Sequence, residues 1–222
     1  LAIEKTDMLV SASNEARIRI KINEGKSLTV RNIKFEGNTG VKSGDLKGAM
    51  KETSEKVWWK FWEGAKFEKK KFEEDKKLIL AYYKEKGYKA AVILEDELKV
   101  DPGKENVNII IKLDEGKKFY INSVSFSGNK LYSDSILKGK LGFKKGDVYN
   151  IKKLQQNLYN NESETDISST YLDNGYLAFN ADLDEKIVNE NKIDLKVNIT
   201  ENIPFRFGLV NFEGNDKTKD KV

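Results

Sequence analysis

The sequence predicts an α+β protein built from tandem modules, each with the element order β-α-α-β-β. Three observations support this prediction: a strand motif occurs three times, a second strand pattern recurs at the same spacings, and helical patterns lie between the two. The motif reads apolar-x-Phe-x-Gly-Asn, and its copies occupy residues 33–38, 124–129 and 210–215. Self-similarity at a period of this size indicates a repeat architecture and overrides a domain count based on length alone.

The first strand of each module ends in this motif and changes phase once. Leu28 and Val30 alternate with polar residues, and the apolar positions then move by one residue to Ile33 and Phe35. Strict alternation indicates a strand with one buried face. A shift of one residue would turn that face outward, so the sequence predicts a β-bulge that absorbs the extra residue in each copy.

Helical patterns follow the motif. Leu46 and Met50 share one face of a short predicted helix, and a longer helix is predicted over residues 68–86. The longer helix should end at Gly87, because glycine suits the left-handed position just past a helix end. In the second copy, the polar stretch 160–164 is expected to interrupt the corresponding helix.

Two strands complete each module. The second strand is predicted over residues 88–98 and again over 176–188, and the final strand alternates aliphatic with polar residues. The repeats predict four segments, namely the C-terminal part of a preceding module at 1–25, complete modules at 26–115 and 116–202, and the start of a following module at 203–222.

Composition excludes several classes of function. The chain has no Cys and no His, which excludes cysteine nucleophiles, His-based triads and the usual zinc ligand sets. Its 40 basic and 36 acidic residues are interleaved, which indicates a solvated surface more than a polyanion-binding stripe. No pair of carboxylates is placed as an acid–base couple. We therefore expect no enzymatic activity, no cofactor and no metal site.

Neither a membrane span nor a targeting segment is visible in the sequence. The uncharged apolar runs are far shorter than the roughly 20 residues of a spanning helix. The first ten residues lack the basic and apolar regions of a signal peptide. We expect these residues to be a fragment whose targeting signal lies upstream.

The modules resemble the POTRA domains of the BamA family of outer-membrane protein assembly factors. The resemblance rests on the element order, the opening motif, the Gly-Tyr pairs at 87–88 and 175–176, and copies that follow one another almost without linker. It implies that each module is a three-stranded mixed sheet covered on one face by two helices. It also implies a periplasmic location, attached to the bacterial outer membrane through a C-terminal β-barrel of the same full-length chain, outside these residues.

The family resemblance further implies a binding and scaffold role, with unfolded outer-membrane proteins and accessory assembly lipoproteins as partners. In this family the second strand lies at an edge of the sheet, where an extended peptide can add through main-chain hydrogen bonds. The alternative is that this strand only closes the sheet. The predicted peptide-binding residues are Tyr88, Ala90, Val92 and Leu94 in the first module, and Leu177, Phe179 and Ala181 in the second.

The segment KVWWKFW at 56–62 is a second candidate surface and is similar to an aromatic and basic loop of relatives from Bacteroidetes. Trp58, Trp59, Phe61 and Trp62 cluster there beside lysines. Such a mixture suits a membrane interface or a partner groove. The alternative is that the rings fold over the second helix and complete a small core.

On the sequence alone, one other function stays open and a second is disfavoured. POTRA domains also occur in two-partner secretion transporters and in organelle import channels, and the number of repeats in the full-length chain would separate these systems.

Nucleic-acid binding would need exposed aromatic residues beside a basic face. Phe35 and Phe126 occupy buried-phase positions instead, so no nucleic-acid partner is expected.

Overall fold

The computed structural model describes residues 2–10, 16–23, 27–55, 66–159, 161–206 and 208–209. The chain divides into two compact units. The first comprises Leu1–Tyr82 with Ala91–Glu115, and the second comprises Tyr83–Ala90 with Gly116–Val222.

The described elements follow the predicted order. They are β1 Ala2–Val10, β2 Ala16–Asn23, β3 Thr29–Glu36, α1 Ser43–Ala49, α2 Lys69–Glu85, β4 Val92–Val100, β5 Asn106–Asp114, β6 Tyr120–Ser127, α3 Asp134–Leu141, α4 Ile151–Tyr159, α5 Ile167–Leu172, β7 Asn180–Asn189 and β8 Lys192–Thr200. We call the elements β3 to β5 the first module and the elements β6 to β8 the second module. The predicted order β-α-α-β-β is confirmed, with the second helix of the second module divided into α4 and α5.

Each module contains one mixed three-stranded sheet. The strand order is β3-β5-β4 in the first sheet and β6-β8-β7 in the second. The first strand runs parallel to the central strand, and the second strand runs antiparallel to it. The last strand of each module is therefore the central one, and both other strands lie at edges.

The predicted bulge is present in both modules. The register of β3 on β5 shifts between Val30 and Asn32, and the register of β6 on β8 shifts between Ile121 and Ser123. The shift keeps the apolar residues on either side of it on one buried face. The third copy of the motif, at 210–215, lies outside the described residues.

The motif glycine ends the first strand in a conformation that other residues rarely adopt. Gly37 has φ of 88° and Gly128 has φ of 83°. A Cβ atom at Gly37 would collide with the backbone carbonyl of Leu113, and one at Gly128 would collide with the carbonyl of Ile199. Glycine is required at this position because of both the dihedral angle and the close approach of the central strand.

The core of the first module lies between the sheet and its helices. Val107, Ile109 and Ile111 alternate along β5 and are completely buried. Phe72 and Ile79 of α2 are buried as well. The second module has its own core, which includes Ile121, Leu137, Leu154, Leu158, Ile167, Tyr171, Ile193, Leu195 and Val197.

The helix α2 ends as the sequence predicts, but the following strand begins later than expected. Gly87 has φ of 95°. The amide of Tyr88 donates to the carbonyl of Tyr83 at 2.9 Å, and the amide of Gly87 donates to the carbonyl of Lys84 at 3.3 Å. These two bonds define a Schellman motif, in which the residue after the glycine packs back on the last helical turn. The predicted strand 88–98 therefore starts only at Val92.

The second module repeats this helix ending. The amide of Tyr176 donates to the carbonyl of Tyr171 at 3.1 Å, and the amide of Gly175 donates to the carbonyl of Leu172 at 2.9 Å. The rings of Tyr171 and Tyr176 meet edge to face. The predicted strand 176–188 accordingly starts only at Asn180.

The predicted helix interruption is confirmed. Helix α4 ends at Tyr159, and α5 begins at Ile167. Asp166 caps α5, because its carboxylate accepts hydrogen bonds from the amide of Ser169 at 2.9 Å and from the Ser169 hydroxyl at 2.8 Å.

The strands β1 and β2 form an antiparallel pair. Its register shifts between Ile3 and Lys5, and the pair β4–β5 has the same type of shift between Ile93 and Glu95. This likeness supports the proposal that residues 1–25 are the end of a preceding module.

Candidate functional site

The edge of β3 is covered in the first module. The amide of Ile33 donates to the carboxylate of Glu55 at 2.6 Å. The carbonyl of Leu28 accepts from the amide of Phe67 at 2.7 Å. These bonds satisfy outward-facing backbone groups that an added strand would need.

The edge of β6 is covered in a similar way in the second module. The carbonyl of Asp147 accepts from the amide of Ile121 at 2.8 Å, and the amide of Gly146 donates to the Ile121 carbonyl at 2.8 Å. The amide of Tyr149 donates to the carbonyl of Phe119 at 3.0 Å. A short segment thus pairs with the start of β6 and blocks strand addition there.

The edge of β4 differs from both. Within the part of the chain that the structure describes, β4 pairs with no strand other than β5. Four large aliphatic side chains are exposed along it, which are Val92 (46%), Leu94 (67%), Leu98 (39%) and Val100 (50%). A nine-residue edge strand with exposed aliphatic residues is a template for pairing with another chain.

A groove runs between α2 and β4. It has a volume of about 380 Å³ and is lined by Lys76, Lys77 and Leu80 of α2 and by residues 92–96 of β4. Lys76 bridges the two elements, since its ammonium lies 2.8 Å from Asp96 and 2.9 Å from Glu73. Burial lowers the pKa of Lys76, but the hydrogen bonds to the two carboxylates outweigh it and raise the pKa overall.

The edge of β7 carries mainly polar and charged residues on its exposed positions. Ala181 is buried, and Asp182 and Asp184 are exposed. Burial raises the pKa of Tyr159, the last residue of α4.

Comparison with known proteins assigns these modules to a family. The family model POTRA, described as "Surface antigen variable number repeat", matches residues 28–116 and 119–202. The chain belongs to the POTRA family.

The POTRA chain is also similar to curated proteins over most of its length. It is 25% identical over 210 residues to the outer membrane protein assembly factor BamA of Neorickettsia risticii, covering 94% of this chain and 27% of the relative. It is 30% identical over 118 residues to BamA of Neisseria meningitidis serogroup B, covering 53% of this chain and 15% of the relative. The chain spans only about a quarter of the length of the first curated relatives it matches.

Solved structures support the POTRA fold. The crystal structure of POTRA domains 3–5 of BamA from Haemophilus influenzae matches with a TM-score of 0.56 and 20% identity, over 90% of this chain and 76% of that one. BamA from Haemophilus ducreyi lacking POTRA domains 1–3 matches with a TM-score of 0.52 and 17% identity, over 78% of this chain and 29% of that one.

The predicted site residues of the first POTRA module divide into two groups. Val92 and Leu94 lie on the exposed part of β4. Tyr88 and Ala90 precede the strand, and Tyr88 is buried. Their placement on the edge strand was wrong, because the Schellman motif folds Tyr88 back on its helix.

The predicted site residues of the second POTRA module differ in exposure, from 62% for Leu177 to 1% for Ala181. Leu177 and Phe179 lie in the turn before β7, and the Phe179 ring stacks on Tyr171 at 4.3 Å between centroids. Ala181 is on β7 but is only 1% exposed. The placement of Leu177 and Phe179 on the strand was wrong for the same reason as in the first module.

Sequence reasoning missed two residues of the β4 edge. Leu98 and Val100 pair with Ile109 and Val107, whose side chains are buried under the helices. A register shift next to Leu94 sets this phase. Counting every second residue back from Val100 would have placed Leu98 and Val100 on the same face of the strand.

The aromatic segment at 56–62 lies outside the described residues. The roles of Trp58, Trp59, Phe61 and Trp62 therefore stay predictions. Of the strand phenylalanines, Phe35 is buried.

A repeated glutamate ties the end of each POTRA module to the loop after its motif. The Glu115 carboxylate accepts hydrogen bonds from the amides of Thr39, Gly40 and Val41, at 2.7 to 3.0 Å. No signal in composition marks this role, but the recurrence of glutamate at the end of the final strand could have indicated it.

Two further observations concern metal sites and membrane spans. Among the described residues, no group of three or more metal-binding side chains is placed to hold an ion. No helix in the described ranges is long and apolar enough to cross a membrane.

Proposed function

We propose that this chain is a periplasmic binding and scaffold region of an outer-membrane protein assembly machine. It receives unfolded β-barrel clients and docks accessory assembly lipoproteins, through β-augmentation at the edge strands β4 and β7. The observation that carries this proposal is the edge of β4, which exposes four aliphatic side chains beside a groove while the β3 edge of the same sheet is covered.

The family supports the setting of this proposal. The curated relatives it matches are named outer membrane protein assembly factors, which favours assembly over secretion or organelle import. The proposal includes a location in the periplasm and attachment to the outer membrane through a C-terminal β-barrel of the full-length chain.

The binding mode follows from the chemistry of a sheet edge. The N–H and C=O groups of β4 that face away from β5 can hydrogen-bond to any extended peptide, because every backbone carries the same groups. Leu98 and Val100 on one side, together with Leu80 of α2, offer aliphatic contacts to the side chains of such a peptide. This mode suits clients whose strands alternate apolar and polar residues but share no sequence.

The proposed role is non-enzymatic. Buried carboxylates in the described modules bind backbone amides and hold loops in place. Asp75, for example, accepts from the amides of Lys51 at 2.7 Å and Thr53 at 2.6 Å. Carboxylates used in this way hold the fold together and are not free to act as acids or bases on a substrate.

Peptide titration followed by backbone amide NMR tests this function. A peptide with the sequence of one outer-membrane β-strand should shift the amides of β4 and slow their hydrogen exchange. The same peptide with every backbone nitrogen methylated is the matched control, because methylation then removes the hydrogen-bond donors along both edges. Equal binding by both peptides, or shifts confined to other surfaces, would contradict strand addition.

A further inference from the structure

We propose that the edge of β4 also pairs with the β4 edge of a second copy of this chain. In this pairing the two strands run antiparallel about a two-fold axis beside Leu98, and the two three-stranded sheets join into one continuous sheet. The inference goes beyond the proposed function, because it needs the edge of β4 alone and no client. It identifies a second occupant for this edge, with which a client has to compete.

The stretch of β4 that can pair regularly has defined ends. Its own pairing with β5 is regular from Glu95 to Val100, because the register shifts between Ile93 and Glu95. A bulge of this kind twists an edge strand and ends regular pairing there. At the other end Pro102 follows the strand, and proline has no backbone N–H to offer to a ladder. A partner strand therefore meets residues 95–100.

The side chains of this stretch lie on two faces. Leu98 and Val100 share the helix-covered face with Asp96, since all three pair with completely buried residues of β5. Glu97 and Lys99 lie on the opposite face, where the Lys99 ammonium is 3.2 Å from the Glu97 carboxylate. The edge thus carries aliphatic side chains on one face, and an acidic and a basic side chain on the other.

Two-fold symmetry restricts the possible registers. When an edge strand pairs with its own copy in one continuous sheet, opposite residues share a face, so the axis lies beside a single residue. An axis beside a charged residue places that residue opposite its own copy, and like charges directly opposite each other destabilise a sheet. This excludes axes beside Glu95, Asp96, Glu97 and Lys99. An axis beside Val100 would pair the strand with the turn that follows it, which leaves the axis beside Leu98.

The register about Leu98 is also complementary in charge. It places Glu97 of each copy opposite Lys99 of the other, so the same ion pair occurs twice. Side chains at directly opposite positions have Cβ atoms about 4.5–5.5 Å apart, and opposite charges there stabilise the pair of strands. The Lys99 and Glu97 side chains are 57% and 42% exposed in the single chain, so both can reach a partner strand.

Aliphatic side chains meet on the helix-covered face of the same register. Leu98 lies opposite its own copy and diagonal to Val100 of the second copy, and both side chains are exposed in the single chain. Val100 lies opposite Asp96, whose carboxylate is held by the Lys76 ammonium at 2.8 Å and is therefore not an unpaired charge. The second copy covers aliphatic surface that otherwise makes a long edge strand prone to aggregation.

Disulfide formation tests the register directly, because the chain has no cysteine of its own. In Leu98→Cys the two introduced thiols face each other across the axis, with Cα atoms about 4.5–5.5 Å apart, a separation that a disulfide spans. The matched control is Val92→Cys, an exposed position of the same strand at which the thiols would lie roughly 40 Å apart. Under mild oxidation we expect Leu98→Cys to form a covalent dimer at least about tenfold faster than Val92→Cys. Equal rates would overturn the inference.

Charge reversal tests the two ion pairs. Glu97→Lys and Lys99→Glu each place like charges opposite each other twice, whereas the double variant restores opposite charges with their positions exchanged. In sedimentation equilibrium we expect each single variant to dimerise about tenfold more weakly than the wild type, and the double variant to return to within about threefold. A register about Glu97 would give no such rescue, so failure of the double variant to restore dimerisation would overturn the inference.

The outcomes separate this inference from the proposed function. Sedimentation at up to about 1 mM detects even a weak dimer, and circular dichroism verifies that each variant is folded. A monomer throughout, with no covalent dimer of Leu98→Cys, would overturn the inference and leave client binding untouched. A dimer that an unfolded outer-membrane strand peptide dissociates would support both proposals. A dimer that this peptide leaves intact would support the inference and contradict client binding at β4.

Discussion

The Glu201 carboxylate accepts a hydrogen bond from the Tyr171 hydroxyl at 2.9 Å, and both side chains are buried. The same carboxylate accepts from the amides of Lys130 at 2.7 Å and Leu131 at 2.9 Å. One residue after β8 thus fixes both the loop after the motif and the last helix of the second module. Glu115 has the equivalent position in the first module, which makes this carboxylate a structural signature of the repeat.

Replacing Glu201 with Gln should destabilise the second module. The substitution keeps the volume but removes the charge, and hydrogen bonds to a charged group contribute roughly 1.5–3 kcal/mol each to the free energy of unfolding. We expect a loss of about 2 kcal/mol in urea unfolding monitored by circular dichroism. Tyr171→Phe removes only one of the bonds and should cost less. Equal stability of Glu201→Gln and the wild type would contradict this role.

The contribution of Glu201 should depend on pH. Burial raises its pKa, but the hydrogen bonds from Leu131, Lys130 and Tyr171 outweigh it and lower the pKa overall. A carboxyl group with a lowered folded pKa stabilises the protein above its unfolded pKa of about 4.3, and this stability is lost as the pH falls through the folded value. The stability difference between wild type and Glu201→Gln should therefore shrink in acid, and a constant difference from neutral pH to acid would contradict the assignment.

Replacing Gly128 with Ala should be strongly destabilising. The position has φ of 83°, and a Cβ atom would collide with the carbonyl of Ile199. We expect a loss of more than about 2 kcal/mol in the free energy of unfolding. Gly139→Ala is the matched control, since Gly139 lies within α3 with open space around it and should gain about 0.5–1 kcal/mol. Only a small loss in the free energy of unfolding of Gly128→Ala would contradict the requirement for glycine at this turn.

The Tyr149 hydroxyl should titrate well above an ordinary tyrosine. Burial raises the pKa of Tyr149 to about 12, and the hydroxyl donates to Glu185 at 2.6 Å. Because the folded pKa is raised, the stabilisation is complete below the unfolded pKa of about 10 and is lost as the pH rises through the folded value. When phenolate absorbance is followed against pH, the wild type should show one more tyrosine that titrates late than Tyr149→Phe does. A difference centred near pH 10 would contradict the burial.

Substitution of the β4 edge should weaken client binding without weakening the fold. Leu98→Lys and Val100→Lys replace exposed aliphatic side chains beside the open edge. We expect each to reduce affinity for a strand peptide about fivefold to tenfold, by the loss of roughly 1 kcal/mol of apolar contact. Leu131→Lys, an equally exposed leucine away from β4, is the control. Equal weakening by all three variants would indicate a non-specific hydrophobic effect.

Much of the fold follows from sequence pattern, and its limits have a physical cause. The phase change around Asn32 predicts the bulge, because only a bulge keeps Val30 and Ile33 on one face. The start of β4 was misplaced because Tyr88 is apolar and follows Gly87, as the first residue of a strand would. The Schellman bond from Tyr88 to Tyr83 depends on backbone geometry that alternation does not record.

The candidate site was predictable in position more than in residues. The edge location of the second strand follows from the family topology, and Val92 and Leu94 are exposed there. The bond from the amide of Ile33 to the carboxylate of Glu55, which covers the β3 edge, joins residues 22 positions apart. No local pattern indicates such a contact, because it arises only when a loop packs against the edge of the sheet.

The most direct test of strand addition is a crosslinking scan along β4 with an unfolded outer-membrane strand peptide. Single-cysteine variants at Leu98, Lys99 and Val100 would carry the photocrosslinker, with mass spectrometry locating each adduct. We expect the Leu98 and Val100 probes to label every second residue of the peptide and the Lys99 probe to label the residues between them, because neighbouring strands pair in register. Adducts without this alternation, or no adducts in a folded protein, would contradict strand addition.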